Sequence, residues 1–239
     1  MNVLAIETAT EVIGCALWAS GRPLGWSSLV AGRRHAETLM PAIDDLCRRA
    51  GLRATDIEGV AVDVGPGLFT GLRVGLSTAR ALASALGTPV AGVNSLEALA
   101  HPQRFCASLV APVVDAKRSE VFWAVYRFDG LGGVEQLRAP AVAGPEDVGR
   151  QLASLDEPVL LVGDGAWRYR DVLASPKATC AGAANAWPSV LAVAELGEAR
   201  LESAGTTAAD FPRPLYLRQA DVRIGWEQMS GAGPGGLGQ

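Results

Sequence analysis

The chain contains 239 residues, of which 49% are hydrophobic and 19% are charged, a composition typical of a globular protein with a well-buried core. Its formal net charge of −4 argues against a protein that binds nucleic acid through a strongly positive surface. The four cysteines are far apart and include no C-x-x-C pair, so we expect free thiols rather than a zinc knuckle or a disulfide framework. The sequence shows neither a signal peptide nor an apolar run of about 18 residues, and we expect a cytoplasmic protein with no membrane association.

Residues 1–104 are predicted to form a first α/β lobe. Its apolar runs indicate three strands in a meander, after which helices and strands alternate, as in a mostly parallel sheet covered by helices. This order is typical of the actin-like, sugar-kinase and Hsp70 ATPase (ASKHA) architecture. The predicted strands and helices are, in chain order, Val3–Ile6, Val12–Trp18, Leu24–Val30, helix Ala36–Ala50, Gly59–Val64, helix Leu72–Leu86, Val90–Val93 and helix Leu96–Gln103.

Residues 105–222 are predicted to repeat this architecture as a second, degenerate lobe. No second glycine-rich turn comparable to the one in the first lobe is recognised there. Residues 223–239 are rich in glycine and lack apolar periodicity, so we expect a flexible tail. The elements predicted for the second lobe are a hairpin of Leu109–Asp115 and Glu120–Phe128, a strand Val134–Val142, a helix from Gly144 to Leu155, a strand Val159–Val162, a helix Ser189–Ser203 and an extended segment Phe211–Leu217.

A glycine-rich turn joins the fourth predicted strand to the second long helix, between Asp63 and Gly75. Such a turn can point backbone N–H groups at a phosphate, or it can pack a helix tightly against a sheet, and the local sequence leaves both interpretations open. It is neither a P-loop nor a dinucleotide fingerprint. The residues that could contact a phosphate here are Glu7, Thr8, Gly65, Gly67, Thr70 and Gly71.

No catalytic residue and no metal site is assigned. The only histidines, His35 and His101, do not form a metal-ligand pattern, and we expect both to be at the surface or near helix ends. Neither a nucleophile elbow nor a Ser-His-Asp triad is identifiable. Glu7 follows the first strand, where it could hold Mg²⁺ or merely cap the strand end.

The second long helix is apolar nearly all round, which indicates burial in a core or against a partner. Small residues along it would allow another helix to approach closely, and we favour a partner. The residues predicted to form this docking surface, together with the first helix, are Leu39, Met40, Ile43, Leu72, Arg73, Leu76, Arg80 and Ala83.

Five blocks of sequence, in order, resemble the TsaB (YeaZ) family, the accessory subunits of bacterial tRNA threonylcarbamoyladenosine biosynthesis. The resemblance spans roughly residues 1–222. The blocks are Met1–Thr10, Arg34–Pro41, Gly65–Gly75, Val114–Phe122 and Pro214–Arg218.

This resemblance implies a non-catalytic subunit that binds and activates a TsaD-like transferase, with a TsaE-like ATPase in the same assembly. It also implies a homodimer in isolation, and contact with tRNA only through the complex. The complex would use ATP and threonylcarbamoyl-adenylate to modify adenosine 37 of tRNAs that read codons beginning with A, while this chain would hold no cofactor tightly. Ser95 and Leu99 stand where TsaD carries its two metal-binding histidines. The alternative prediction is a small ATP-binding kinase or ATPase of the actin-like fold.

Overall fold

The computed structural model describes residues 1–32, 34–131, 133–203 and 211–218. They form two α/β lobes, each built on a five-stranded mixed sheet. The predicted tail, residues 223–239, and the end of the predicted second lobe, residues 219–222, lie outside the described residues.

The first sheet consists of a meander followed by two parallel strands. β1 pairs antiparallel with β2 and parallel with β4, and the strand order is β3-β2-β1-β4-β5. The predicted strands are all present, at β1 (Asn2–Glu7), β2 (Val12–Ala19), β3 (Arg22–Val30), β4 (Gly59–Gly65) and β5 (Val90–Asn94).

Three helices belong to the first half of the chain: α1 (His35–Ala50), α2 (Phe69–Leu86) and α3 (Ser95–Ala100). α1 and α2 end at glycines in the left-handed conformation, Gly51 and Gly87, as helices commonly do. α2 begins three residues earlier than predicted. The amide of Leu72 already donates to the carbonyl of Leu68, so the first helical turn includes the end of the glycine-rich loop.

The second sheet repeats the topology of the first. β6 (Leu109–Lys117), β7 (Glu120–Phe128) and β8 (Val134–Ala143) form a meander, and β9 (Val159–Val162) and β10 (Ala178–Cys180) pair parallel to it in the order β10-β9-β6-β7-β8. The helices are α4 (Pro145–Ala153), α5 (Asp164–Arg168), α6 (Arg170–Leu173) and α7 (Val190–Ser203). The sequence did not predict β10, α5 and α6, because elements of three to five residues are too short to show a periodicity.

The last helix of each half packs against the sheet of the other half. α7 places Val190, Val193 and Leu201 in a core with β1, β2 and β4 of the first sheet. α3 places Leu96 and Leu99 in a core with β6 and β7 of the second. The predicted division at residues 104 and 105 falls between the two sheets, and α7, which was predicted in the second lobe, packs against the first sheet.

The extended segment that follows α7 also returns to the first lobe. The amide of Leu215 donates to the carbonyl of Val64 at 2.8 Å, and Phe211 packs against the core beneath α1 and α2. This segment was predicted to be extended, and it is. No helix among the described residues combines the length and the apolarity needed to cross a membrane.

Candidate functional site

The glycine-rich loop packs directly on the backbone that follows β1. A Cβ atom at Gly67 would clash with the carbonyl oxygen of Ala9, and one at Gly71 would clash with the carbonyl oxygen of Thr8. A Cβ at Gly75 would meet the hydroxyl of Thr8. These glycines are therefore required for the close approach of α2 to β1, which is the packing interpretation of the motif.

Polar groups that could have faced a phosphate are already bonded within the protein. The amide of Leu68 donates to Ala9 O at 2.7 Å, and the hydroxyl of Thr8 donates to Gly71 O at 2.9 Å. Glu7 and Thr8 are fully buried, Gly65 and Gly71 are buried and Gly67 is half-buried, so Thr70 alone among the six predicted contacts is exposed. The loop lies where it was predicted, but little of it is open to a ligand.

Two carboxyl groups are buried at the ends of β1 and β4. Glu7 accepts a hydrogen bond from Ala9 N at 2.8 Å, while Asp63 accepts from Gly65 N at 2.7 Å and from the hydroxyl of Ser95 at 2.5 Å. The second oxygen of each, Glu7 Oε2 and Asp63 Oδ2, is buried with no hydrogen-bond donor among the described residues.

Burial controls the protonation of this pair. Desolvation, reinforced by the charge of Asp63, raises the pKa of Glu7 well above its usual value. Desolvation also raises the pKa of Asp63 to about 7, against the opposing hydrogen bonds from Ser95 and Gly65. Burial therefore favours the protonated form of both carboxyls, and a protonated carboxyl is a poor ligand for Mg²⁺.

Both histidines lie at helix ends, as predicted, since His35 begins α1 and His101 follows the last residue of α3, but neither is at the surface. His35 is buried, and its Nε2 lies 2.9 Å from the carbonyl oxygen of Thr10, so it ties the start of α1 to the turn after β1. His101 is mostly buried, with Nε2 3.0 Å from Glu195 Oε2 on α7. Each joins two elements of the chain instead of facing solvent. In the described part of the chain, no group of three or more His, Cys, Asp or Glu side chains is arranged to hold a metal ion.

A cleft of about 410 Å³ separates the two lobes. Lys117 connects the two lobes beside this cleft, because its Nζ lies 3.2 Å from Glu11 Oε1 of the first lobe and 3.2 Å from Asp115 Oδ2 of the second. Burial disfavours this ammonium, but the hydrogen bonds and charges of the two carboxylates outweigh burial and raise its pKa. The other described residues that line the cleft are Asp164, Trp167, Arg168, Arg170, Asp171 and Trp187.

A second strand–helix glycine turn, which the sequence interpretation missed, lies between β9 and α5. Gly163 has φ of 110°, and a Cβ there would clash with Val113 O. Asp164 Oδ1 accepts from the amides of Asp115 and Gly165, and burial raises the pKa of this carboxyl. The Gly-Asp-Gly triplet directly after an apolar strand was the available signal. Like the first loop, this turn is filled by backbone of the neighbouring strand.

Most of the predicted docking residues face the interior of the first lobe. Five of them are buried in the monomer, so they cannot line a surface, and that part of the prediction is wrong. α1 and α2 are apolar on these sides because they cover the sheet. The five residues are Leu39, Ile43, Leu72, Leu76 and Ala83.

The exposed predicted residues, Met40, Arg73 and Arg80, mark the outer side of the same helices. Between α1 and α2 this side carries a shallow cavity of about 510 Å³ with no acidic residue among its described lining. Its walls are small or uncharged apart from Arg73, and they comprise Ala36, Phe69, Thr70, Arg73, Val74, Ser77 and Thr78.

Comparison with known proteins gives a consistent assignment. A family model described as TsaD, tRNA N6-adenosine threonylcarbamoyltransferase, matches residues 28–226. The protein named TsaB of Bacillus subtilis is 30% identical over 95% of this chain and 98% of its own length. The protein named TsaB of Escherichia coli is 29% identical over 97% of this chain and 99% of its own length.

Solved structures support the same conclusion. YeaZ from Pseudomonas aeruginosa superposes with a TM-score of 0.77 at 28% identity, covering 90% of this chain and 99% of that one. The ROK hexokinase of Thermus thermophilus, at 15% identity, TM-score 0.51 and coverage of 84% of this chain and 100% of that one, shares the fold alone. The predicted actin-like fold is thus confirmed, and the chain belongs to the TsaB (YeaZ) family within the wider group that the TsaD model describes.

Proposed function

We propose that this protein is a non-catalytic subunit that binds and activates a TsaD-type catalytic subunit. Membership of the TsaB family gives it a role in tRNA threonylcarbamoyladenosine biosynthesis, as the names of its relatives state. In the proposed assembly the catalytic subunit transfers the threonylcarbamoyl group from threonylcarbamoyl-adenylate to adenosine 37 of tRNAs that read codons beginning with A. A TsaE-type ATPase joins the assembly and accounts for its use of ATP.

The observation that carries this proposal is the outer face of α1 and α2. At 100° per residue, Val74, Ser77 and Ala81 lie within about 60° of one another on α2. Their short side chains leave the helix backbone accessible to a partner helix at close range. Met40 on α1 is 45% exposed beside this face and provides an apolar side chain for burial on association. We define the docking face as Ala36, Met40, Val74, Ser77 and Ala81.

The packing around the glycine-rich loop and the cleft supports the proposed non-catalytic role. The glycine-rich loop is packed against Thr8 and Ala9, the carboxyl at the end of β1 is buried with a raised pKa, and Lys117 bridges the two lobes at the mouth of the cleft. A phosphate bound at the glycine-rich loop would have to displace the packing of Gly67 and Gly71 on Ala9 and Thr8. We expect no transferase or ATPase activity from the isolated chain.

Substitution of Met40 by Glu tests the docking face. A carboxylate in the centre of an apolar interface is desolvated without a partner, so capture of a TsaD-type subunit should weaken by at least tenfold. Co-purification or calorimetry measures this effect. Because Met40 is exposed in the monomer, the melting temperature of the variant should stay within 2 °C or so of the wild type.

Two controls make the result specific. Val172 on α6 is 43% exposed and equally apolar, so Val172→Glu is the matched control and should leave capture unchanged. Trp26 on the edge strand β3 is 57% exposed, so the edge of the first sheet is the alternative surface at which a partner could bind. Loss of capture with Trp26→Glu and normal capture with Met40→Glu would move the interface to the sheet edge and refute the proposed face.

The same face is proposed to form a homodimer when no catalytic subunit is present. Met40→Glu should then convert the free protein to a monomer in sedimentation velocity experiments at micromolar concentration. A dimer that survives this substitution would place the homodimer contact elsewhere.

An ATP-binding kinase or ATPase is the alternative function. It requires that Mg-ATP enter the cleft between the lobes and reach Thr8 and the glycine-rich loop. Calorimetry of the isolated chain with Mg-ATP separates the two functions, and we expect no binding at micromolar concentrations. Stoichiometric binding, or turnover that is lost with Lys117→Ala, would favour the enzyme.

A further inference from the structure

A basic groove runs along the flank of α2 that faces away from α1. Its volume is about 470 Å³, and its other wall is the extended segment that precedes residue 219. We define the basic groove by its described lining, which is Arg73, Leu76, Ser77, Arg80, Phe211, Pro212, Arg213, Pro214 and Tyr216. Three of these side chains are cationic and none is acidic.

The three arginines have no acidic partner among the residues that the structure describes. Among the described residues, no carboxylate lies within ion-pairing distance of Arg73, Arg80 or Arg213. Elsewhere the described surface pairs its arginines readily, as with Arg48 and Arg127. In a protein with a net charge of −4, an unpaired cationic cluster of this kind is a local departure from the overall balance.

Two of these guanidinium groups are held in place by aromatic rings. The Cζ of Arg73 lies 3.7 Å from the centroid of Phe69, and that of Arg80 lies 4.3 Å from the centroid of Phe211. Phe69 in turn packs against Tyr216, with ring centroids 5.2 Å apart. Stacked guanidinium groups lose less freedom when they bind an anion, since the rings already restrict them.

This combination fits a nucleic-acid strand better than an acidic peptide. A phosphodiester backbone presents negative charges at regular intervals to the arginines, and exposed rings such as that of Tyr216 can stack on bases. An acidic peptide would use the charges but not the rings. The groove also adjoins a second cavity of about 540 Å³ that shares Arg73 and Tyr216 with it and adds Arg218, so there is space for a strand longer than one or two nucleotides. The lining of this cavity includes one acidic residue, Asp115, which is paired with Lys117.

We propose that the basic groove binds the phosphodiester backbone of the substrate tRNA, so that this subunit contributes directly to tRNA recognition. The assignment of tRNA as the polyanion rests on the proposed function. It replaces the expectation that the chain meets tRNA only through its catalytic partner. The docking face and the basic groove lie on adjacent flanks of α2, so a bound catalytic subunit and a bound tRNA would be neighbours.

The test uses the full chain and an unmodified, fluorescently labelled tRNA transcript. Fluorescence anisotropy at salt concentrations from 50 to 200 mM gives both the dissociation constant and its salt dependence. The variant Arg80→Gln/Arg213→Gln should bind about tenfold more weakly at 50 mM salt, and the slope of log K against log salt should fall by about 1.5 to 2 units. The control variant Arg127→Gln/Arg150→Gln changes the net charge equally on the second lobe and should bind as the wild type does.

The outcomes separate this inference from the proposed function. Capture of a TsaD-type subunit by Arg80→Gln/Arg213→Gln should be normal, and failure of the wild-type chain to capture that subunit would count against the proposed function alone. Three results would overturn the groove assignment: no tRNA binding by the wild-type chain at 50 mM salt, equal binding by both double variants, or tighter binding of a decaglutamate peptide than of the transcript.

Discussion

The buried carboxyl of Asp63 makes the stability of the fold depend on pH. The pKa of Asp63 is about 7 in the folded protein, mainly because of desolvation, whereas an unfolded aspartate titrates near 3.9. The folded state therefore binds more protons than the unfolded state between these values. Its contribution to stability is complete below about pH 4 and is lost as the pH rises through about 7.

The expected size follows from linkage. Each proton taken up on folding changes the free energy of unfolding by about 1.4 kcal/mol per pH unit. Because Asp63 itself begins to lose its proton near pH 7, it alone should lower the free energy of unfolding by about 2 kcal/mol from pH 5 to pH 7. Glu7 acts in the same direction, because its pKa is also raised by burial and by the charge of Asp63. The slope contributed by Asp63 is thus a lower bound for the pair.

Substitution of Asp63 by Asn should remove this slope and retain the geometry. The amide oxygen of Asn can accept the hydrogen bonds now made by Gly65 N and the hydroxyl of Ser95. Its NH₂ group would occupy the position of Oδ2, which has no donor among the described residues. We expect Asp63→Asn to be more stable than the wild type at pH 8 and no more stable at pH 5.

Urea unfolding at half-unit steps from pH 5 to pH 8.5 measures the slope, provided that the m-value is constant. Asp44 is exposed on α1, and Asp44→Asn makes the same chemical change there as a control. A wild-type stability that is flat over this range, or an Asp63→Asn variant with an unchanged slope, would refute the argument that burial keeps the pair protonated.

Three further predictions follow from packing. Leu76→Ala should lower the free energy of unfolding by about 2–5 kcal/mol, because the side chain of Leu76 lies in the core of the first lobe. Met40→Ala, on the exposed side of the neighbouring helix, should lower it by less than about 1 kcal/mol, and chemical denaturation measures both effects. Gly71→Ala should cost about 1–3 kcal/mol through its clash with the strand turn, while Gly182→Ala, which meets open space, should be nearly neutral in thermal melts. Burial raises the pKa of Cys15 to about 12, so its thiol should resist a disulfide reagent at pH 8 until the protein unfolds, as peptide mass spectrometry would show.

The elements with a clear period were predictable from sequence, and so was the fold. Strands such as β4 are continuous apolar runs between turn residues, and α1 shows helical spacing ended by Gly51. The repetition, in the second half of the chain, of a strand meander followed by further strands and helices could also be predicted from the sequence. The exchange of α3 and α7 between the lobes could not, because both helices are apolar on the packed side and nothing local distinguishes one sheet from another.

The docking surface was predicted on α1 and α2, and burial contradicts the side of the helices to which five of its residues were assigned. The apolar stripe of Leu72, Leu76 and Ala83 was taken for a docking surface, although a stripe of this kind is equally expected of a helix that covers a sheet. Burial settles the choice, and burial depends on which face the sheet occupies. The basic groove was missed for another reason: Arg80 and Arg213 are more than 130 residues apart, and only the return of the C-terminal segment to α2 brings them together.

The placement of charge bears on both proposals, the non-catalytic role and the binding of a polyanion. An actin-like phosphotransferase needs a phosphate loop in each lobe, facing a cleft that tolerates negative charge. Here four carboxyl groups and three cationic side chains line that cleft, and Glu11 and Asp115 hold Lys117 between the lobes, so its cationic charge is already engaged by the protein. The arginines of the basic groove, which have no carboxylate partner among the described residues, lie instead on the outside of α2, next to the proposed docking face. On this reasoning the Lys117→Ala substitution should loosen the lobes without creating a site for ATP, whereas the removal of Arg80 and Arg213 should affect the protein's response to polyanions without affecting its fold.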